Sequence, residues 1–330
     1  MNTFRTELFL KTLSHPIELK SKVLTIGSCF STSIGQQLAD NKFNCLVNPF
    51  GSIYNPISIH KLLLFALENK SPSENSYLTN EGLSKNYDFH SSFSSPSKTA
   101  VEEKMQSAIS NAQFFLQSAD YIIITYGTAF VYERKDTGEI VANCHKQPSE
   151  YFTRRLLSVD EIVSSFKNIV QSIKAKHPNI KFVLTVSPVR HIKDTLELNS
   201  VSKSILRIAA HQLKEQPNID YFPAYELMMD DLRDYRFYEA DMIHPNQQAI
   251  DYIWDKFSNQ YFSDSTRNFI KQWKETKAAL NHRPFNPEGE AHRKFLQQSI
   301  TKLIELGKFV NTEVEIEQLK SSFTKPNYKS

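Results

Sequence analysis

Three short, almost wholly apolar runs constrain this chain more than any other feature. They are Lys22 to Ile26, Tyr121 to Thr125 and Lys181 to Val186. Each has the length of a strand and none alternates apolar with polar, which is the pattern of strands covered on both faces. Between them lie amphipathic stretches at helical spacing. Val101, Met105, Ala108, Ile109, Ala112, Phe115 and Leu116 form one stripe, and Ile162, Val163, Phe166, Ile169, Val170 and Ile173 form another. Buried strands that alternate with helices require a parallel sheet with helices on both faces. The expected fold class is therefore α/β: a doubly wound, mostly parallel sheet in a three-layer sandwich. Further strands are expected at Asn44 to Val47 and Asp220 to Phe222, with helices at Ile57 to Leu67 and about Asn199 to Lys214. The 330 residues suffice for one large domain of this kind.

The remaining elements are read from caps and breakers. Residues 70 to 97, rich in Ser, Asn and Pro, read as a long surface loop. Thr99 and Glu102 match a capping box at the start of the next helix. Residues 129 to 150 read as a hairpin insertion around Asp136-Thr137-Gly138. Ser158 to Glu161 opens a second capped helix, and Pro245 suits the first position of the helix carrying Ile250, Ile253, Trp254 and Phe257. The domain boundary is placed at 263/264. Residues 264 to 330 form a C-terminal helical extension, with helices over about 264 to 281 and 289 to 309 and the Asn281 to Pro287 segment between them. Glu313, Glu315 and Glu317 then read as a solvated tail. The extension would pack either on the core or on a partner subunit, and in the second case a homo-oligomer would form through these helices.

Composition removes several classes of function. A net charge of +3 with no Lys/Arg cluster gives no footprint for nucleic acid. No stretch of 18 or more apolar residues is long enough to span a membrane. The start, Met1-Asn2-Thr3-Phe4-Arg5, lacks the pattern of a secretory leader. Cys29, Cys45 and Cys144 form no CxxC pair and are odd in number, which fits a reducing, cytoplasmic setting. His90, His145 and His191 lack metal-ligand spacing, so neither a metal nor another cofactor is expected.

The chemistry-bearing residues gather at the predicted C-terminal ends of the strands, where such sheets bind ligands. Ser28 and Cys29 follow the first strand through Gly27. A sharp strand-to-helix turn at Gly with a small nucleophilic residue is the geometry of a nucleophile elbow. Taken singly, these residues also fit a helix N-cap and a buried cysteine. Asp241 and His244 stand three apart on the loop entering a helix, as the orienting acid and base of a triad. Gly51 and Thr128 lie at two other strand ends. Arg190 and His191 follow a fourth, and His90 and His145 sit on loops. These last four are candidate substrate-binding residues and equally plain structural ones.

The chain resembles the GSCFA domain family, itself similar to the SGNH hydrolases. The resemblance rests on Gly27-Ser28-Cys29-Phe30-Ser31, Val47-Asn48-Pro49-Phe50-Gly51, Ile124-Thr125-Tyr126-Gly127-Thr128, Asn143-Cys144-His145-Lys146, Ser187-Pro188-Val189-Arg190-His191 and Asp241-Met242-Ile243-His244-Pro245. It spans roughly residues 20 to 260, with Ser31 where the family ends its signature in Ala. It implies an SGNH or flavodoxin-like sandwich that cleaves O-acyl esters, with acetyl esters of a carbohydrate as substrate. An O-acyltransferase on the same triad, or an inactive ligand-binding relative, is the alternative. His244 and Asp241 inherit the base and orienting roles. Oxygen-ester chemistry favours Ser28 as nucleophile, whereas the Gly-Asp-Ser register of the SGNH enzymes aligns Cys29 with that position. Gly51 corresponds to the second-block glycine of the oxyanion hole. The third-block Gly-x-Asn is replaced by Gly127-Thr128-Ala129, which leaves Thr128 as the donor there.

Overall fold

The computed structural model describes residues 5–280, 286 and 289–324. The chain divides into two compact units. One comprises Met1–Phe9, Ser21–Ala39 and Asn44–Phe257; the other comprises Leu10–Lys20, Asp40–Phe43 and Ser258–Ser330.

The first unit is built on five parallel strands: β1 (Lys22–Gly27), β2 (Asn44–Val47), β5 (Tyr121–Tyr126), β9 (Lys181–Val186) and β10 (Ile219–Phe222). Their order across the sheet is β10-β9-β5-β1-β2. Counted among themselves they run 2-1-3-4-5, the flavodoxin-like doubly wound order. The chain reverses direction across the sheet between β1 and β5, so a crevice opens at the C-terminal ends of those two strands. Leu24, Ile26, Ile122, Ile124, Phe182 and Leu184 point from one face into the main core. There they meet α2 (Pro56–Glu68), α3 (Lys98–Leu116), α4 (Val159–Lys176) and α5 (Thr195–Leu213). The opposite face carries α1 (Cys29–Asp40) and α7 (Gln247–Tyr261). A Cβ on Gly35 would fall 2.7 Å from Thr25 Oγ1, so α1 lies close on β1. Phe257 of α7 packs edge-on against Phe222 of β10, with centroids 5.1 Å apart.

Several local expectations are corrected. Residues 70–97 are not a surface loop: they hold the hairpin β3 (Tyr77–Asn80) and β4 (Leu83–Asn86), and Asp88, Phe89 and Phe93 are buried. The side chain of Ser97, not Thr99, caps α3 by accepting from Ala100 N–H, because the helix already begins at Lys98. The hairpin around Asp136-Thr137-Gly138 is present as β6 (Phe130–Arg134) and β7 (Ile140–Val141), and β8 (Phe152–Leu156) adds a third strand in the order β7-β6-β8. Pro245 bridges to Tyr238 instead of opening α7. Asn246 caps that helix, its Oδ1 accepting from Ala249 N–H at 3.1 Å. The capping box at Ser158 and Glu161 is present as read.

After β10 come a single helical turn, α6 (Ala224–Glu226), and a π-helical turn over Leu227–Leu232. The second unit contains α8 (Asp264–Leu280), α9 (Glu290–Leu306) and α10 (Glu313–Thr324). Its core is Phe269, Trp273, Leu296, Leu303, Leu306 and Leu319. The expected charged tail is thus a third helix, and Glu315 pairs with Lys42 at 2.6 Å. Leu319 drives this helix inward, a spacing that the alternating glutamates obscure. Apart from Asn286, the expected segment 281–287 between the helices lies outside the described residues. Among the described residues no helix is long and apolar enough to cross a membrane.

One turn positions everything downstream. Gly27 ends β1 at φ +137°, and a Cβ there would sit 2.2 Å from Thr125 O. Only glycine allows this approach and this backbone. The Gly27 N–H donates to Asn48 Oδ1 at 2.8 Å, and the Gly27 carbonyl accepts from Ile53 N–H at 2.8 Å. Ser28 N–H donates to Thr125 O at 3.0 Å. Asn48 Nδ2 donates to Thr32 Oγ1 at 2.7 Å and Ser28 O at 3.3 Å. One side chain therefore clamps the strand end, the turn and the helix that follows. Asn48→Ala leaves the buried Gly27 N–H without its acceptor and should cost about 2 kcal/mol in denaturant unfolding.

A second polar knot lies in the core. His60 Nε2 bonds Tyr126 Oη and His60 Nδ1 bonds Ser165 Oγ, each at 2.8 Å. Burial pulls the His60 pKa from 6.5 down to about 3. The unfolded chain therefore takes up this proton first. The stability from a neutral His60 is complete above pH 6.5 and drains as the pH falls towards 3. In His60→Gln, the dependence of unfolding free energy on pH between 6 and 4 should flatten by about 1.4 kcal/mol per pH unit.

Candidate active site

The loop between α6 and α7 builds a rigid carboxylate–imidazole pair. Asp241 Oδ1 accepts from Ile243 N–H at 2.8 Å and from His244 N–H at 3.0 Å. Its Oδ2 bonds His244 Nδ1 at 2.7 Å. These contacts, with the His244 backbone N–H first, hold the Asp241 pKa down at about 2. An ionised carboxylate only accepts, so in the neutral imidazole Nδ1 carries the proton and Nε2 the lone pair. Met242 takes φ +59° to close the loop. Glu239 N–H donates to His244 O at 2.8 Å, and Arg190 N–H to Ile243 O at 3.2 Å, which ties the loop to the end of β9.

His244 lines a cavity of about 550 Å³ together with Cys29, Tyr54, Val189, Arg190, His191, Ile192, Lys193 and Ile243. Its residues come from the ends of β1 and β9, from the segment after β2 and from the loop before α7. Cys29 is half-buried at the N-terminus of α1. Burial pushes its thiol pKa up, while the Phe30 and Cys29 amides and the charge of Lys203 work against that rise. Arg190 places its guanidinium over the rings of Tyr238 and Tyr235, at 4.1 and 5.0 Å from the centroids. His191 packs edge-on to Tyr54, with centroids 5.4 Å apart. Burial first, then the charges of Lys203 and His244, hold the His191 pKa at about 3, so its ring is neutral.

The turn separates the two candidate nucleophiles, and Ser28 faces the interior. Its side chain is 0% exposed, and its hydroxyl has no hydrogen-bond partner among the described residues. The Gly27 turn aims Ser28 inward and gives the cavity position to Cys29. Gly51 and Thr128, the two candidate oxyanion residues, use their amides within the fold. Gly51, at φ +75°, donates its N–H to Asn48 O at 2.9 Å within a tight turn. Thr128 donates its N–H to Tyr54 O at 3.1 Å, while its hydroxyl bonds Ser202 Oγ at 3.0 Å. Both amides are thus engaged within the fold.

His90 caps a short 3₁₀ turn, its Nδ1 accepting from Ser92 N–H at 3.2 Å. His145 is buried, with Nε2 on Asn86 O at 2.7 Å. Thr128 and His145 instead line a neighbouring cavity of about 530 Å³, which shares Tyr54, His191 and Lys193 with the first. A larger cavity of about 820 Å³, bordered by Arg5, Asp231 and Arg236, contains none of the candidate residues. Among the described residues no cluster of His, Cys, Asp or Glu is arranged to hold a metal.

Three residues of the site escaped the sequence reading. Asn48 was visible only as part of a turn. Tyr54 carried no motif of its own; burial and the charge of Cys29 raise its pKa, so its hydroxyl stays a donor. Lys203 lay on what reads as an ordinary amphipathic helix, where a lysine signals solvent.

No curated protein matches the chain. Its architecture is similar to that of solved esterases at low identity. An acetyl xylan esterase from the rumen bacterium Butyrivibrio proteoclasticus aligns at 13% identity and a TM-score of 0.39, covering 78% of this chain and 66% of that one. A carbohydrate esterase family 3 structure from Talaromyces cellulolyticus aligns at 10% identity and a TM-score of 0.34, covering 77% and 99%. The GSCFA domain protein C-terminal domain matches residues 273–325, and the GSCFA family matches residues 22–257. That second match runs from the first sheet strand into the helix behind His244, and on it the chain belongs to the GSCFA family.

Proposed function

We propose that this protein hydrolyses O-acyl esters through a Cys29–His244–Asp241 triad. One observation carries the reading: Cys29 and His244 line a single cavity, and Asp241 fixes the imidazole with Nε2 unprotonated. His244 Nε2 takes the thiol proton as Cys29 Sγ attacks the acyl carbon. The tetrahedral intermediate collapses to a thioester, and His244 returns the proton to the departing alcohol. Water, deprotonated by His244, then attacks the thioester; the acid leaves and the thiol is restored. Asp241 keeps the tautomer and supports the imidazolium at each stage. The Tyr54 hydroxyl, on the wall of the same cavity, is the donor we assign to the acyl oxyanion.

The adjoining 530 Å³ cavity supports a substrate with a sizeable alcohol portion. Phe130 and Tyr132 offer apolar surface there, and Asn143 and Gln147 offer amides. An acetylated carbohydrate, the class implied by the SGNH resemblance, suits such a lining. The same thioester delivers its acyl group to a second alcohol when one fills that cavity in place of water, so acyl transfer is the second reading.

Hydrolysis of p-nitrophenyl acetate tests the triad. Cys29→Ala and His244→Ala should lose activity, whereas Ser28→Ala should remain within a few-fold of the parent. Parental turnover in Cys29→Ala would remove the proposed nucleophile. Asp241→Asn should lower kcat/KM by about 10³-fold or more, because the amide can bond the wrong tautomer. Mass spectrometry of the quenched reaction should find the added acetyl group on the peptide containing Cys29.

A further inference from the structure

The two neighbouring cavities share Tyr54, His191 and Lys193, so the wall beside Cys29 and His244 continues from one into the other. Its charge is of one sign. Arg190, Lys193 and Lys146 line it, and no Asp or Glu stands among the described lining residues of either cavity. Both lysines are exposed, and among the described residues neither forms an ion pair. Arg190 lies over the rings of Tyr238 and Tyr235 instead of against a carboxylate. Behind Tyr54 the fold buries a further lysine where an acid could have balanced the wall. Lys203, 1% exposed, donates from Nζ to Gly127 O and Ser187 O, each at 2.7 Å. Gly127 in turn donates its N–H to Tyr54 O at 2.8 Å.

The backbone that carries Lys146 is unusual. His145 and Lys146 take φ +50° and +59°, and Gln147 N–H donates to Cys144 O at 2.9 Å across them. Two successive positive φ angles make the kind of turn that Gly, Asn and Asp normally fill. Neither residue here belongs to that set. Three hydrogen bonds hold the strained turn in place. His145 N–H donates to Asn143 Oδ1 at 2.8 Å, Asn80 Nδ2 donates to His145 O at 2.8 Å, and His145 Nε2 bonds Asn86 O at 2.7 Å. Strain that the surroundings over-determine gathers at ligand-binding positions. An Asn-Gly pair would close the same turn with less strain and would leave the cavity without its cation. Lys193 reaches the same cavity from another segment, the short 3₁₀ turn Ile192–Asp194 after β9. Its charge is felt at Cys144, two residues from Lys146.

We propose that the alcohol portion of the ester is a sugar bearing a compact anion, a carboxylate or a phosphate, which Lys146 and Lys193 receive beside the Cys29 cavity. The proposal rests on the ester hydrolysis described above and specifies its substrate. Two unpaired ammonium groups on one wall attract an anion, and no carboxylate opposes it there. The same wall repels a sugar with a free amine, so it selects by sign as well as by fit. Asn143 and Gln147 remain for the sugar hydroxyls, and Phe130 and Tyr132 for the ring face.

Equilibrium binding tests this without any ester. The full chain is titrated with methyl glucuronoside, glucose 6-phosphate and methyl glucoside, and binding is read by saturation-transfer NMR. At least one anionic sugar should bind about fivefold or more tighter than methyl glucoside. That margin should shrink in 0.5 M sodium chloride, as screening of exposed charges requires. In the double variant Lys146→Glu, Lys193→Glu, the margin should vanish or reverse. A margin for the uronide alone, or for the phosphate alone, upholds the proposal and identifies the anion. Equal binding of all three sugars, or binding of none, overturns it. A margin that survives the double variant overturns the assignment to these lysines. Both side chains are exposed, so the variant keeps the core intact. Hydrolysis lost in Cys29→Ala with no preference for anions rejects this proposal alone. A preference for anions with hydrolysis persisting in Cys29→Ala rejects the triad and leaves the charge selection standing.

Discussion

The close approach of Gly27 to Thr125 O is the constraint on which the site depends. It lets β1 turn into α1 within two residues and directs consecutive side chains to opposite fates. Ser28 enters the interior and Cys29 enters the cavity. Asn48 makes the turn rigid by bonding the strand end, the turn carbonyl and the first turn of the helix at once. A larger residue at 27 would have to move the strand or abandon the turn. Which of the two side chains lines the cavity is thus decided by backbone crowding.

Electrostatics then give the pocket its character. Burial works against charge at Cys29, His191 and Lys203 alike. It keeps His191 neutral on the wall of the cavity that Cys29 also lines. At Cys29 the amides of the first helical turn and the lysine charge oppose the penalty. Asp241 sits outside this regime: it is exposed, and hydrogen bonds from its own loop hold its charge. Hydrogen bonds within the loop therefore orient His244, while burial and the first helical turn set the environment of Cys29. Two sources of order meet at one cavity.

The second unit shows the same economy of parts on a smaller scale. Trp273 donates its indole N–H to Asp40 O at 2.8 Å, and Glu18 accepts from Ser263 and Thr266 hydroxyls, both at 2.7 Å. Segments far apart in the chain, 10–20 and 40–43, are thereby built into a helical core whose main mass is C-terminal. A single cut in the sequence does not describe that arrangement, because short segments carry too few apolar residues to declare their allegiance.

The chain itself determined the α/β class, the buried strands β1, β5 and β9, the stripes of α3 and α4, and the Asp241–His244 pair. Each is written in local periodicity or in a spacing that one loop can satisfy. Local patterns were silent or misleading where a distant partner decides. The Ser-rich 70–97 stretch looks solvated, yet Phe89 and Phe93 are drawn into the core and its backbone pairs as a hairpin. Lys203 reads as surface until two carbonyls from other strands enclose it. Ser28 and Cys29 are adjacent and chemically similar, so nothing local separates them. Only the packing of Gly27 against β5 turns one towards the core and the other into the cavity that His244 also lines, because a side chain's direction depends on backbone contacts made across the sheet.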